Sequence, residues 1–261
     1  MKTRVLSGLI MVPLILILYF GGYVLTAAGF IISLIAIKEF YNGFKNMGIN
    51  PSYIIGYVGL LSIYGIHMFL NDDATYLMLW IVLSVMAGLM YGMDVVNRSI
   101  NDSISTILGL IYVVFFLYHI ILIDNIGEYS ILIWLVIITA FSTDIMAYFT
   151  GYFFGKHKLA PKLSPKKTIE GAIGGALGSI LFSGIFGYFI VPRLFMHCLI
   201  IGLIGGIVSQ FGDLTASAMK RKMGVKDYGN LIPGHGGIMD RFDSVIFMAP
   251  TLYYYIMLVL I

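Results

Sequence analysis

Nine stretches of mainly apolar residues follow one another along the chain, each of roughly the 17 to 25 residues that carry an α-helix across a bilayer. They fall near residues 5–21, 22–37, 52–70, 75–93, 104–123, 129–151, 171–191, 197–219 and 242–260. The breaks between them are short, and the Gly21-Gly22 pair is the slightest. The pattern predicts an all-α polytopic integral membrane protein with about nine transmembrane helices. It is expected as one membrane domain over 1–261, with the helices of about 1–125 as scaffold and those of about 129–261 carrying the polar chemistry. The segment 38–51, KEFYNGFKNMGINP, mixes Phe and Tyr with Lys. It suits either an amphipathic turn at the membrane interface or a plain connecting loop. Small residues recur in GAIGGALGS (171–179) and GLIGGIVS (202–209), which predicts close helix contacts of the small-xxx-small kind.

Composition agrees with the spans. The chain is 59% hydrophobic with mean hydropathy +0.95, whereas soluble domains hold about 45–50% apolar residues. The single cysteine, Cys198, excludes an intramolecular disulfide framework and a cysteine zinc cluster. The charged start and apolar run at the N-terminus lack a cleavage site of the A-x-A type, so the first helix is expected to be retained.

Charge sets the expected orientation. With nine spans and a cytoplasmic N-terminus, fifteen of the 16 Lys and Arg residues fall on the cytoplasmic side, and Arg193 alone on the other. That is the bias of the positive-inside rule, and it puts the C-terminus on the opposite side. The basic loops 152–170 and 220–241 then share the cytoplasmic surface. Because the basic residues are tied to membrane boundaries, nucleic acid is not expected as a partner.

The densest charge lies between Asp213 and Asp243, DLTASAMKRKMGVKDYGNLIPGHGGIMDRFD. Carboxylates suit a hard divalent cation and clustered Lys and Arg suit phosphate. On a helix, Asp213, Ser217 and Lys220/Arg221 form one stripe. They could surround a ligand, or Asp213 could simply pair with Lys220 or Arg221. An ionisable residue within a span is a functional candidate because its burial is costly. Further on, Gly234-His235-Gly236-Gly237 precedes Asp240, Arg241 and Asp243. Glycines let backbone N–H groups approach an anion. Asp240 and Asp243 are neighbours if a helix starts here, where Asp243 could equally serve the helix dipole. With no second histidine nearby, His235 suits phosphate better than a metal.

Two upstream segments add to this. Asp144, Tyr148 and Tyr152 share a helical face in FSTDIMAYFTGYFFGK. Asp144 needs a metal, a cation from 220–241, or Ser and Tyr hydroxyls. In SPKKTIEG, Ser164, Lys166, Lys167 and Thr168 stand before a Gly-rich helix start. The hydroxyls could cap that helix and the lysines mark the membrane side, or all four could bind nucleotide phosphates.

From Ser217 to Asp243, the pattern Ser217-x-Met219-Lys220-Arg221-x4-Lys226-Asp227-x-Gly229-x2-Ile232-Pro233-x-His235-Gly236-Gly237-Ile238-x-Asp240-Arg241-Phe242-Asp243 resembles the signature of the phosphatidate cytidylyltransferases, or CDP-diglyceride synthases. SPKKTIEG resembles a second family segment, and the multi-span layout agrees over the whole length. The resemblance implies condensation of CTP with phosphatidic acid to CDP-diacylglycerol and pyrophosphate, within membrane lipids at cytoplasmic head-group depth. It implies magnesium, with potassium as a second cation, held first by Asp213 and Asp240 and then by Asp144 and Asp243. Lys220, Arg221, Lys226 and Arg241 would hold substrate phosphates, and Ser217, Ser164, Lys166, Lys167, Thr168, Asp227 and His235 would assist. Catalysis is thereby expected from Asp213, Asp240, Lys220 and Arg221. Whether the chain forms a homodimer stays open.

Two other readings compete. CDP-alcohol phosphatidyltransferases also hold metals with membrane aspartates, but DRFD lacks the Gly and the Ala-Arg of their spacing. An ion-coupled transporter could use Asp144 and Asp213 as coupling carboxylates, yet it leaves the cluster at 220–241 unexplained. The orientation is directly testable: a cysteine placed at Ser164 is expected to stay unlabelled when an impermeant thiol reagent is added outside intact cells. Labelling from outside would reverse the topology.

Overall fold

The computed structural model describes residues 13–231 and 236–261. Among them are eight helices long and apolar enough to cross a membrane: α1 (Gly22–Lys45), α2 (Tyr53–Leu70), α3 (Ala74–Tyr91), α4 (Ile100–Asp124), α5 (Gly127–Phe154), α6 (Ile169–Phe189), α7 (Pro192–Lys222) and α8 (Met239–Leu260). They correspond to the last eight expected spans. The expected first span begins outside the described residues, and its described part is helical over residues 13–20. The expected break behind it is present, with Gly21 and Gly22 at φ +56° and +48°, a region glycine enters without steric cost.

Polar residues at four of the other breaks start the helices that follow them. Ser52 accepts from the Ile55 amide at 3.3 Å, Asp73 from Thr75 at 2.8 Å and Thr168 from Gly171 at 3.1 Å, while Ser99 and Asp102 form a reciprocal capping box. Each answers a donor that the first turn leaves unpaired.

Two segments depart from expectation. Residues 38–45 are neither interfacial turn nor loop, because α1 continues to Lys45. The reason is burial: Glu39 is 8% exposed and Phe40 and Tyr41 are 0% exposed, so this stretch belongs to a packed interior. The basic loop after α5 contains a short antiparallel hairpin, β1 (Lys158–Ala160) and β2 (Ser164–Thr168), inside an otherwise all-α fold.

The chain forms two compact units, Met1–Leu122 with Lys222–Arg241, and Ile123–Arg221 with Phe242–Ile261. In the first, Tyr41 is a node. Its hydroxyl donates to the Thr106 carbonyl at 2.8 Å and its ring fills the place of a side chain at Gly109. There α4 widens into a π-helical stretch, Gly109–Phe115, as helices do where a neighbour engages their ladder. A polar chain ties α1, α2 and α4: Thr26 Oγ1 lies 3.2 Å from His67 Nε2, His67 Nδ1 lies 2.8 Å from Asp72, and the Tyr118 hydroxyl donates to the other oxygen of Asp72.

In the second unit the small residues foreseen at 171–179 and 202–209 are the packing surface. A side chain at Gly175 of α6 would meet the Thr143 carbonyl of α5 at 2.9 Å, and one at Gly206 of α7 would meet Ala176 Cα at 3.0 Å. Backbone against backbone is the closest approach two helices can make. Cys198 is wholly buried against Gly187 of α6. Gly175→Leu is therefore expected to cost about 1–3 kcal/mol through overpacking, read as a lower midpoint of thermal unfolding in detergent. Gly65→Leu, with nothing within 4 Å of the added carbon, is expected to leave the midpoint near that of the natural chain.

Candidate active site

The close contacts of α5, α6, α7 and α8 converge on one region of the second unit. Gly171 and Gly175 bring α6 to the backbone of α5, and Gly212 brings α7 to the Asp243 carbonyl of α8. Asp144 on α5, Asp213 on α7 and Asp243 on α8 are thereby gathered, and Asp243 lies within electrostatic reach of Asp213, Lys220 and Asp144. Like charges this near in apolar surroundings repel strongly, so cations are needed among them.

Lys167 supplies one. Its ammonium donates to Asp213 Oδ2. The hydroxyl of Ser217 donates to Asp213 Oδ1 at 3.4 Å, as the i, i+4 spacing requires. The ion pair of Asp213 thus comes from β2, 46 residues earlier in the chain. Lys220 reaches the group through Asp243. Arg221 donates to the Leu163 carbonyl at 3.4 Å, fastening the end of α7 to the hairpin.

The hairpin forms one wall of a cavity of about 540 Å³. Asp144, Tyr148 and Tyr152 line it from α5, Lys158, Ser164, Lys166 and Lys167 from the hairpin, and Thr168 and Gly171 from the start of α6. The rings of Tyr148 and Tyr152 stack at 6.3 Å. This volume lies within the range of small-molecule sites. Glu170 holds the hairpin's entrance. It accepts from the Lys156 and His157 amides at 3.1 and 3.2 Å, and its other oxygen lies 2.6 Å from His157 Nδ1. Thr168 is the cap of α6 and a lining residue at once.

The other half of the signature lies in the first unit. Lys226, Asp227 and Arg241 are exposed, while Asp240 is 7% exposed. Asp240 Oδ2 accepts from the Tyr228 amide at 2.8 Å and the Gly237 amide at 2.9 Å. Gly236, at φ +82°, leaves room for that carboxylate. The described glycines of the loop, Gly229, Gly236 and Gly237, face anions, and those anions are carboxylates of the protein itself. His235 lies outside the described residues.

The second unit thus brings together Asp144, Asp213, Asp243, Lys167, Ser217 and Lys220, with Ser164, Lys166 and Thr168 around the adjoining cavity. Asp240, Lys226, Asp227 and Arg241 belong to the first unit. Among the described residues no three of His, Cys, Asp and Glu are grouped as a metal site. Sequence reasoning missed Gln210, which lines the cavity and donates to the Ala172 and Gly206 carbonyls at 3.1 and 2.7 Å. It also missed Glu39. A polar side chain amid the glycines of α7 was the available signal for Gln210.

The cytidylyltransferase family model matches residues 2–259. The chain is 33% identical over 263 aligned positions to the phosphatidate cytidylyltransferase of Bacillus subtilis, with 97% of each chain covered. It is 36% identical over 273 aligned positions to that of Staphylococcus epidermidis, again with 97% of each covered. A 61-residue stretch is 62% identical to the phosphatidate cytidylyltransferase of a Synechocystis strain, covering 23% of this chain and 21% of that one.

Proposed function

The chain belongs to the cytidylyltransferase family, and we propose that it is a phosphatidate cytidylyltransferase, converting CTP and phosphatidic acid to CDP-diacylglycerol and pyrophosphate. The observation that carries the site assignment is the grouping of Asp144, Asp213 and Asp243 with Lys167 and Lys220 beside a cavity lined by Lys158, Lys166 and Lys167. A lipid-phosphate oxygen attacks the α-phosphorus of CTP. One P–O bond forms there, the bond to the β-phosphate breaks, and its electron pair leaves with pyrophosphate. Phosphatidate is already anionic near neutral pH, so no strong base is required. Such transfers are driven by positioning and charge neutralisation.

In this proposal Lys166, Lys167 and Lys220 hold phosphate oxygens, with Ser164, Ser217 and Thr168 as hydroxyl partners. Arg221 keeps the hairpin against α7. Lys226, Asp227, His235 and Arg241 are assigned to substrate by the signature they occupy. The donors are hard carboxylate oxygens, the type that suits magnesium; among the described residues they are not set as a three-ligand cluster, and Asp213 accepts the Lys167 ammonium. Asp213, Asp243 and Asp144 would hold Mg²⁺, and Asp240 belongs to the metal set by its motif, with potassium as the second cation. The metal would offset charge on the phosphates. The positive-inside bias, fifteen of 16 cations, supports a site facing the cytoplasm, where CTP is dissolved and phosphatidate presents its head group.

Purified protein in phosphatidate-containing micelles with radiolabelled CTP and magnesium is expected to form CDP-diacylglycerol, and chelation of the metal to stop it. Asp213→Asn is expected to lower the rate by about 10²-fold or more. No product from the natural chain would overturn the activity, and an unimpaired Asp213→Asn variant would overturn the role of Asp213.

A further inference from the structure

Glu39 is a buried carboxylate that the proposed reaction does not use. It sits on α1, is 8% exposed, and lies 200 residues from the group it binds. Its Oε2 accepts from the Met239 amide at 2.9 Å. That amide stands at the start of α8, where the first N–H groups of a helix have no partner within it. A carboxylate there also meets the positive end of the helix dipole. Glu39 therefore does from another helix what a local capping residue does from its own.

Two glycines of the signature are shaped by the same side chain. A Cβ on Gly229 or on Gly237 would strike the Glu39 carboxylate, and one on Gly236 would meet Asp240 Oδ2. The described ends of the loop, Tyr228 with Gly229 and Gly236 with Gly237, thus lie against two carboxylates whose charges interact. Further contacts of its described residues run along α1: the ring of Tyr228 lies 6.0 Å from that of Phe40, and Met223 packs on Gly43. The amides that orient Asp240 belong to Tyr228 and Gly237, which adjoin the positions held by Glu39.

We propose that Glu39 is a positioning residue: its carboxylate, buried against Gly229, Gly237 and Met239, fixes the backbone whose amides in turn orient Asp240. This rests on the assignment of Asp240 to the metal set above. Partners that orient a ligand in this way typically matter about 10- to 100-fold in metal affinity or activity.

The test compares Glu39→Leu, which fills the space without an acceptor, with Glu39→Gln, which keeps one. Hydrogen exchange of the full-length protein in detergent is followed for 224–241 and, as a reference, for 100–124. Glu39→Leu is expected to speed exchange in 224–241 alone. It is expected to lower kcat by about 10- to 100-fold and to raise the magnesium concentration for half-maximal rate by a similar factor. The KM for phosphatidate is expected to stay within about twofold, and Glu39→Gln to retain more of the rate. Unchanged exchange in 224–241 would overturn the proposal, as would faster exchange throughout, or local loosening with rate and magnesium dependence intact. If the natural chain forms no CDP-diacylglycerol, the reaction falls and the exchange comparison alone decides whether Glu39 holds the loop. If Glu39→Leu yields no folded protein, Gly229→Ala, which presses on the same carboxylate from the loop side, is read against the same outcomes.

Discussion

Backbone-to-backbone contact along α6 is the constraint on which the second unit depends. In a bilayer, helices gain little by hiding apolar surface from one another, since lipid tails are equally apolar. Association has to come from close packing, and glycine allows the closest. Gly171 and Gly175 admit α5. Gly206, with its partner surface at Ala176 and Ser179, admits α7. The carboxylates of Asp144 and Asp213 stand on helices pressed against two faces of the same glycine-rich rod. Lys167, in the strand that leads into that rod, is delivered to Asp213 by the same geometry.

A second constraint governs the first unit, where an irregular loop returns to a helix start. Backbone polar groups buried at a membrane boundary must find partners. Two carboxylates, Glu39 and Asp240, supply acceptors to the amides of Tyr228, Gly237 and Met239. Their burial would be costly without those donors, and the donors would be unpaired without them.

Spans, caps and small-residue faces were legible in the residue order because each is a local property. Eight apolar runs became eight helices, the Gly21-Gly22 break lies in the left-handed region, and the Ser217 hydroxyl meets Asp213 one turn away. Contacts between distant segments were not legible. KLAPKLSPKKT carries no periodicity from which a hairpin of two short strands could be read, and only folding sets Lys167 against Asp213. Glu39 was hidden by its neighbours. Lying between Lys38 and a run of aromatics, it resembled the polar margin of a span, whereas the helix continues and buries it.

The packing around Cys198 has a practical corollary. Its sulfur sits in the contact between α6 and α7, wholly screened and pressed on Gly187. Reagents that modify thiols in the aqueous phase meet no natural target there, so the unaltered chain behaves as though it were cysteine-free. Single probes introduced elsewhere can be read without first replacing the residue, and the tight contact it fills can be left undisturbed.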